Sequence, residues 1–382
     1  MTKSRPSYGE EDISIMTERF LKQYSSSTLA AGGVHMLFPS DGETRTGRVY
    51  NKLYVEGIYD FAFLFSCITD STFADGAEIV RDMPAGPWVI YSASVAVSDT
   101  ADPVKDKAAR TELRFGGKNR KNVASGEVFA TDPVRLSVKK GQYLGIELTY
   151  AGRLLPSHRE SIVPIFRQTP EGWVPDPDMP IPSMTGCTRE VTTRVCFWGD
   201  SITQGIGTPF DSYTYYAART AVLIGYGGIA YRNIGMGWAR ADDAAAGGIW
   251  MEQAKRNDIV SICFGVNDLQ NGFSEEELIE NLVKIVAELK AAGCSVLVQT
   301  VPPFGNDPEF ERKRQIVNRF ILNDSRLRAD AVFDCGRVLG MPGAPQLARY
   351  GDHPDAEGCR LWAEALAPVL NKLITQKKET AV

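Results

Sequence analysis

Around residue 170 the apolar residues of this 382-residue chain change their spacing, from alternation to short runs mixed with helical repeats. Side chains alternate sides along a strand but return to one side every three or four residues on a helix, so the two halves call for different architectures. Alternation dominates from residue 26 to about 170. In "VRLSVKKGQYLGIELTY", Val134, Leu136 and Val138 share one side, and Leu144, Ile146, Leu148 and Tyr150 resume after Lys140-Gly141, which predicts a β-hairpin with one buried face. "YSASVAVS" repeats the pattern with Tyr91, Ala93, Val95 and Val97. With no long helical repeat in between, this half is expected to be an antiparallel, jelly-roll-like β-sandwich. Ahead of it, Ile13, Met16, Phe20 and Tyr24 stand at helical spacing and predict a short amphipathic helix packed on the sandwich.

Beyond residue 190 the β-branched runs "VTTRVCFWG", "GIAYRNIG", "DIVSICFG", "CSVLVQTV" and "AVFDC" alternate with helical segments such as "SEEELIENLVKIVAELKAAG". That segment opens with Ser274 and carries Glu277 three residues later, a reciprocal cap, and stops at Gly293. Strands alternating with helices imply a parallel sheet covered on both faces, with any site at the carboxyl ends of its strands. Between the halves, Pro170, Pro175, Pro177, Pro180 and Pro182 read as an extended connector. The expected division is therefore a β-sandwich domain over 1–172, a linker over 173–190 and an α/β domain over 191–382.

A formal net charge of −5 argues against a nucleic-acid partner, which needs a concentrated basic face. No apolar run approaches the roughly 20 residues that span a bilayer, and the first residues lack an export signal, so a cytoplasmic protein without membrane contact is expected. Cys67, Cys187, Cys196, Cys263, Cys294, Cys335 and Cys359 are odd in number and sit mostly in apolar runs, which favours buried thiols over disulfides or a metal cluster. No nucleotide loop or flavin signature is present, and no cofactor or metal is expected.

Three histidines narrow the search for chemistry. His35 and His158 lie in the sandwich half, where a structural or surface role is the simpler reading. His353 falls after the last strand and before the last helix, on the edge where a parallel sheet keeps its site. Ser201, in Gly199-Asp200-Ser201, closes the first strand of the helical half, and a serine nucleophile needs a histidine base within reach. It is not the G-x-S-x-G elbow, because Thr203 replaces the second glycine. Asn267, two residues after Gly265 at the end of the third strand, can aim an amide over the same edge, as an oxyanion donor or as a simple turn former. The second strand ends in "RNIGMGWAR", whose glycines leave backbone N–H groups uncovered, in a plain turn or toward a ligand.

"GDSIT", "NIGMG", "GVND" and "DHP" follow in order, each at a strand end, and over roughly residues 191–375 they resemble the four blocks of the SGNH, or GDSL, hydrolase family. The resemblance implies a three-layer α/β/α, flavodoxin-like domain with Ser201 as nucleophile and His353 as base. It further implies an oxyanion hole made by Asn267, the Ser201 N–H and an N–H from the Gly235 to Trp238 loop, Gly237 among them. In the amino-terminal half, the Gly-rich turn and Thr131-Asp132-Pro133-Val134 resemble the β-domain of members grouped with xylan esterases. That likeness suggests a carbohydrate acyl group, most often acetyl, as substrate.

Two positions depart from the family pattern. Tyr350 stands where members carry the Asp that orients the histidine, leaving Asp352, Asp334 or a backbone carbonyl for that task. Trp238 stands where the family glycine of the second block is expected; the donor there is a backbone N–H, so the indole would narrow the pocket, stack on a sugar or simply pack. Tyr213, Tyr215, Tyr216 and Phe273, near the expected entrance, fit core more often than ligand wall and are left unassigned. The expected function is a metal-independent serine esterase acting on a small-molecule or oligosaccharide ester, with self-association left open. A degenerate carbohydrate-binding member and a short-chain lipase or thioesterase are the alternatives.

Overall fold

A computed structural model of the chain describes residues 10–71, 81–305, 307–340, 347–349 and 352–380. The described residues of the amino-terminal half form two large antiparallel sheets and a two-stranded one, Met36–Pro39 with Leu154–Ser157. One large sheet runs in the order Gly172–Pro175, Ile165–Thr169, Arg45–Lys52, Tyr143–Gly152, Trp88–Ser98 and Thr111–Glu112, with Lys121–Val123 also on Trp88–Ser98. The other runs Ser25–Ser26, Met184–Cys187, Gly57–Ser66 and Val128–Ala130, with Val134–Val138 also on Gly57–Ser66. Val49, Val95, Ile146 and Leu148 of the first sheet share a core with Phe61, Phe63, Leu136 and Val138 of the second. The uninterrupted apolar run of Gly57–Ser66 has a second cause. Its other side, with Ala62 and Leu64, is covered by Phe20 and Leu21 of the helix Glu10–Gln23 and by Tyr24 just after it.

Three expectations are refined here. Val134–Val138 and Tyr143–Gly152 are both strands with the anticipated buried sides, but they do not form a hairpin: the first pairs with Gly57–Ser66 and the second with Arg45–Lys52 and Trp88–Ser98. The turn Lys139–Gln142 instead carries the chain from one sheet to the other, so both apolar sides face one core. Tyr91 is 39% exposed while Ile90 is fully buried, because a bulge opposite Thr149 and Tyr150 inserts one residue and reverses the alternation. The Pro-rich segment is largely incorporated: Gly172–Pro175 and Met184–Cys187 are strands, and Met179 and Ile181 are buried. Pro175 is accommodated because its strand is an edge, where no donor is needed on the outer side.

The five predicted runs of the second half form one parallel sheet in the order Ile229–Asn233, Thr193–Gly199, Ile259–Cys263, Ser295–Gln299 and Ala331–Phe333. Adjacent residues of the strand Thr193–Gly199 face opposite layers: Phe197 meets Tyr216 edge-on, and Trp198 meets Trp250. Tyr216 in turn stacks on Trp362 of the long helix Ala356–Thr380, with ring centroids 4.3 Å apart. Helices therefore cover both faces, giving three layers. The helix Glu275–Ala291 has the anticipated reciprocal cap, Ser274 accepting from Glu277 N and Glu277 from Ser274 N, and Gly293 follows at φ +86°. The strand Thr193–Gly199 comes first in the chain yet lies between the second and third. Connections therefore diverge there, and the crevice beyond its carboxyl end is where this architecture places a ligand.

Candidate active site

Ser201 emerges at that crevice. A Cβ on Gly199 would collide with Thr203 and the Cys263 carbonyl, so only glycine lets the strand turn sharply into the helix Ser201–Gln204. Asp200 caps this helix by accepting from Ile202 N at 3.0 Å. Its carboxyl is buried, and burial, with Asp268 adding, pushes its pKa up to about 7. Gly205, at φ +117°, ends the helix after one turn. The Ser201 hydroxyl is thus held on a short rigid corner, and its Oγ lies 2.7 Å from His353 Nε2.

His353 reaches this point from a small hairpin, Ala348–Arg349 paired with His353–Pro354, followed by the helix Ala356–Thr380. Asp355 accepts from Glu357 N and Gly358 N, anchoring the start of that helix. Phe304 packs edge-on against the imidazole at 5.2 Å. On another side a Cβ on Gly207 would stand 2.6 Å from His353 Cβ, so glycine there leaves room for the ring. Asp352 has φ +66°, and its carboxylate lies 3.8 Å from where a Cβ on Gly305 would be. Asp334 accepts from Thr300 Oγ1 and Arg337 N and caps the helix Cys335–Leu339. Among the described residues no hydrogen bond joins either carboxylate to His353. Tyr350 lies outside the described residues.

Asn267 follows Gly265, whose φ of +122° turns the chain off the third parallel strand into the helix Val266–Gln270. Its side chain is buried, and Nδ2 donates one hydrogen to the Ala239 carbonyl at 2.9 Å, leaving a second N–H. Next to it, Asp268 accepts from Ala241 N and Asp242 N, so "GVND" both lines the crevice and fastens the neighbouring loop.

That loop, Gly235 to Trp238, is tied to the nucleophile's corner. Asn233 donates to Thr203 O and accepts from Gly235 N, and Met236 N donates to Gly199 O. Gly235 lies directly on the backbone of Thr203 and Gln204. Trp238 adopts φ +61°, a conformation that costs a non-glycine residue roughly 1–2 kcal/mol and that explains why a glycine is expected there. Among the described residues, the backbone N–H groups of Ser201, Gly237 and Trp238 make no hydrogen bond.

Two residues of the amino-terminal half also touch this loop: His35 meets the Gly237 carbonyl and Glu160 meets the Trp238 indole. From the sequence alone His35 and His158 have a structural or surface role in the sandwich half, and Glu160 carries no mark of a site. No local signal marks a contact between residues some 80 to 200 positions apart. Tyr215 and Tyr216 are fully buried; Tyr213 and Phe273 are partly so. All seven cysteines are free and buried.

The GDSL-like lipase/acylhydrolase family matches residues 197–361, a stretch that contains Ser201, Asn267 and His353. Among solved structures, the chain is similar to a family two carbohydrate esterase from Clostridium thermocellum in complex with cellohexaose, at 13% identity over 91% of this chain and 94% of that one, TM-score 0.41. It is also similar to a carbohydrate esterase family 3 structure from Talaromyces cellulolyticus, at 20% identity over 49% of this chain and 99% of that one, TM-score 0.40. A member of the lipolytic protein G-D-S-L family from Veillonella parvula DSM 2008 shares 18% identity over 47% of this chain and 98% of that one, TM-score 0.40. No curated protein matches the chain. The chain is an ester hydrolase that carries a GDSL-like lipase/acylhydrolase region at residues 197–361.

Proposed function

We propose that this chain is a serine esterase that removes a small acyl group, acetyl foremost, from a carbohydrate through an acyl-enzyme. The observation that carries the reading is the 2.7 Å contact between Ser201 Oγ and His353 Nε2 on a rigid corner. In the first half-reaction the Ser201 oxygen attacks the ester carbonyl and its proton passes to His353 Nε2. The oxyanion receives hydrogen bonds from Asn267 and from backbone N–H groups of Ser201 and the Gly235 to Trp238 loop. As the tetrahedral adduct collapses, the C–O bond to the sugar breaks and His353 returns the proton to the departing hydroxyl. Water then repeats the sequence, giving its proton to His353 and releasing the carboxylic acid from Ser201.

A small acyl group suits a site in which Phe304 packs against the imidazole and the Gly235 to Trp238 loop lies close on the nucleophile's corner. The carbohydrate portion is favoured by the amino-terminal half, which we read as a jelly-roll-like sandwich domain over residues 1–172, joined through 173–190 to a hydrolase domain over 191–382. The two parts of its sequence resemblance to xylan-esterase members are physically linked: Asp132, of Thr131-Asp132-Pro133-Val134, accepts from Gly116 N at 2.9 Å and Gly117 N at 2.6 Å in the Gly-rich turn. Short oligosaccharide esters suit the cytoplasmic location we assign; no described helix is long and apolar enough to cross a membrane.

The test is hydrolysis of p-nitrophenyl acetate and of an acetylated xylo- or cello-oligosaccharide by the unmutated protein and by Ser201→Ala. Turnover that disappears in Ser201→Ala and falls with lengthening acyl chain supports the reading. Equal rates for the two proteins overturn it, and a preference for long chains overturns the acetyl assignment.

A further inference from the structure

The peptide between Gly237 and Trp238 is gripped from the amino-terminal half on both of its residues. His35 Nε2 lies 3.0 Å from the Gly237 carbonyl, and the Trp238 indole N–H donates to Glu160 Oε1 at 3.1 Å. A Cβ on Gly237 would collide with the Glu160 carboxylate and stand 3.2 Å from His35 Cε1, so both residues press on one backbone segment. Glu160 also reaches the nucleophile's helix, because its carbonyl accepts from Gln204 Nε2 at 2.6 Å. His35 is completely buried beside His158, with ring centroids 5.7 Å apart. Burial, with His158 adding, holds its pKa down to about 3, so the ring is neutral. A carbonyl only accepts; the hydrogen on the His35 ring therefore sits on Nε2 and points at Gly237 O.

Resting on the esterase reading above, we propose that His35 and Glu160 are positioning residues for catalysis. By holding the Gly237 carbonyl and the Trp238 indole, they present the Trp238 backbone N–H to the developing oxyanion, and the amino-terminal half thereby completes the active site. The carbonyl and N–H of a trans peptide point in opposite directions, so fixing Gly237 O from one side fixes the Trp238 N–H toward the other. Trp238 is also held at φ +61°, the backbone conformation of a glycine, and its N–H makes no hydrogen bond among the described residues. The clamp explains why an indole occupies this position: Trp238 offers a side-chain donor that Glu160 can hold, which a glycine would not.

The experiment compares kcat and KM for p-nitrophenyl acetate in the unmutated protein, His35→Leu, Glu160→Leu, Glu160→Gln and Trp238→Phe, with far-UV circular dichroism and thermal unfolding alongside. The proposal expects kcat to fall by about 10- to 100-fold in both Leu variants and in Trp238→Phe, with KM changed by less than about two-fold, because a misplaced donor is felt in the transition state. Glu160→Gln keeps an acceptor oxygen for the indole and is expected to recover kcat to within about three-fold. Should the Leu variants not fold, Trp238→Phe and Glu160→Gln carry the comparison. Undiminished kcat in the folded variants, with only a lower melting temperature, overturns the positioning role. So does an equal loss in Glu160→Gln and Glu160→Leu. Absence of Ser201-dependent turnover in the unmutated protein overturns the esterase reading itself and this proposal with it, a distinguishable failure.

Discussion

Gly235→Ala is the substitution with the sharpest expected consequence. Gly235 does not occupy the left-handed region, so alanine can adopt its backbone conformation, and the effect comes from space alone. The added Cβ would stand 2.8 Å from Thr203 C and 2.9 Å from Gln204 Cα, and against Gln204 N as well. Ordinary contact begins near 3.4 Å, so the shortfall from Thr203 C is 3.4 − 2.8 = 0.6 Å, and the obstructing atoms are backbone that no rotamer change can clear. Either the loop or the helix bearing Ser201 must move by most of that distance. Overpacking of this kind costs about 1–3 kcal/mol of stability. A displacement approaching 1 Å between nucleophile and oxyanion donors costs about 10²-fold in turnover, so a loss of about 10- to 100-fold in kcat is expected. The assay is p-nitrophenyl acetate hydrolysis together with urea unfolding, with Gly227→Ala as control, since nothing lies within 4 Å of a Cβ there. Activity of Gly235→Ala within two-fold of the control would refute the claim that this contact sets the site's geometry.

Asn267→Ala is expected to lower kcat by about 10²- to 10³-fold, the cost of one oxyanion donor, in a steady-state assay. His158 is fully buried, and burial holds its pKa down to about 4 from the ordinary 6.5. Because the folded value lies below the unfolded one, its contribution is intact above pH 6.5 and is lost as the pH falls toward 4. Over that window of 6.5 − 4 = 2.5 units the unmutated protein is expected to lose about 3 kcal/mol more than His158→Phe in urea unfolding. The seven cysteines are buried, and burial pushes Cys67, Cys196 and Cys359 up to about 12. Iodoacetamide at pH 8 is expected to leave the native protein unmodified and to label all seven after unfolding, as read by mass spectrometry.

Features carried by local chemistry were legible in the sequence. The Ser274 cap, the stop at Gly293 and the five parallel strands are all decided by residues within a few positions of one another. The Ser201 to His353 pairing was legible by elimination, since of three histidines only His353 falls on the sheet edge that Ser201 occupies. What the sequence concealed depends on pairing between distant segments. Val134–Val138 and Tyr143–Gly152 read as a hairpin because alternation reports which side is buried, not which strand lies alongside. Tyr91 was assigned inward because a single bulged residue reverses the alternation without altering composition. Prolines between 170 and 182 obscured the edge strand Gly172–Pro175, where a missing donor costs nothing. The grip of His35 and Glu160 on Gly237 and Trp238 spans the two halves, and neither residue carries a mark of it. Trp238 itself looked like a departure from the family pattern; its φ of +61° shows that the backbone keeps the glycine conformation while the side chain changes.

The central claim is that Ser201 carries the acyl group between two half-reactions. Rapid acid quenching of the protein during turnover of p-nitrophenyl acetate, followed by proteolysis and mass spectrometry, tests it most directly. The account predicts an acetyl group on the peptide containing Ser201, formed with a burst of p-nitrophenol and absent from Ser201→Ala. Turnover with acetyl on another residue, or an undiminished rate in Ser201→Ala, would contradict it.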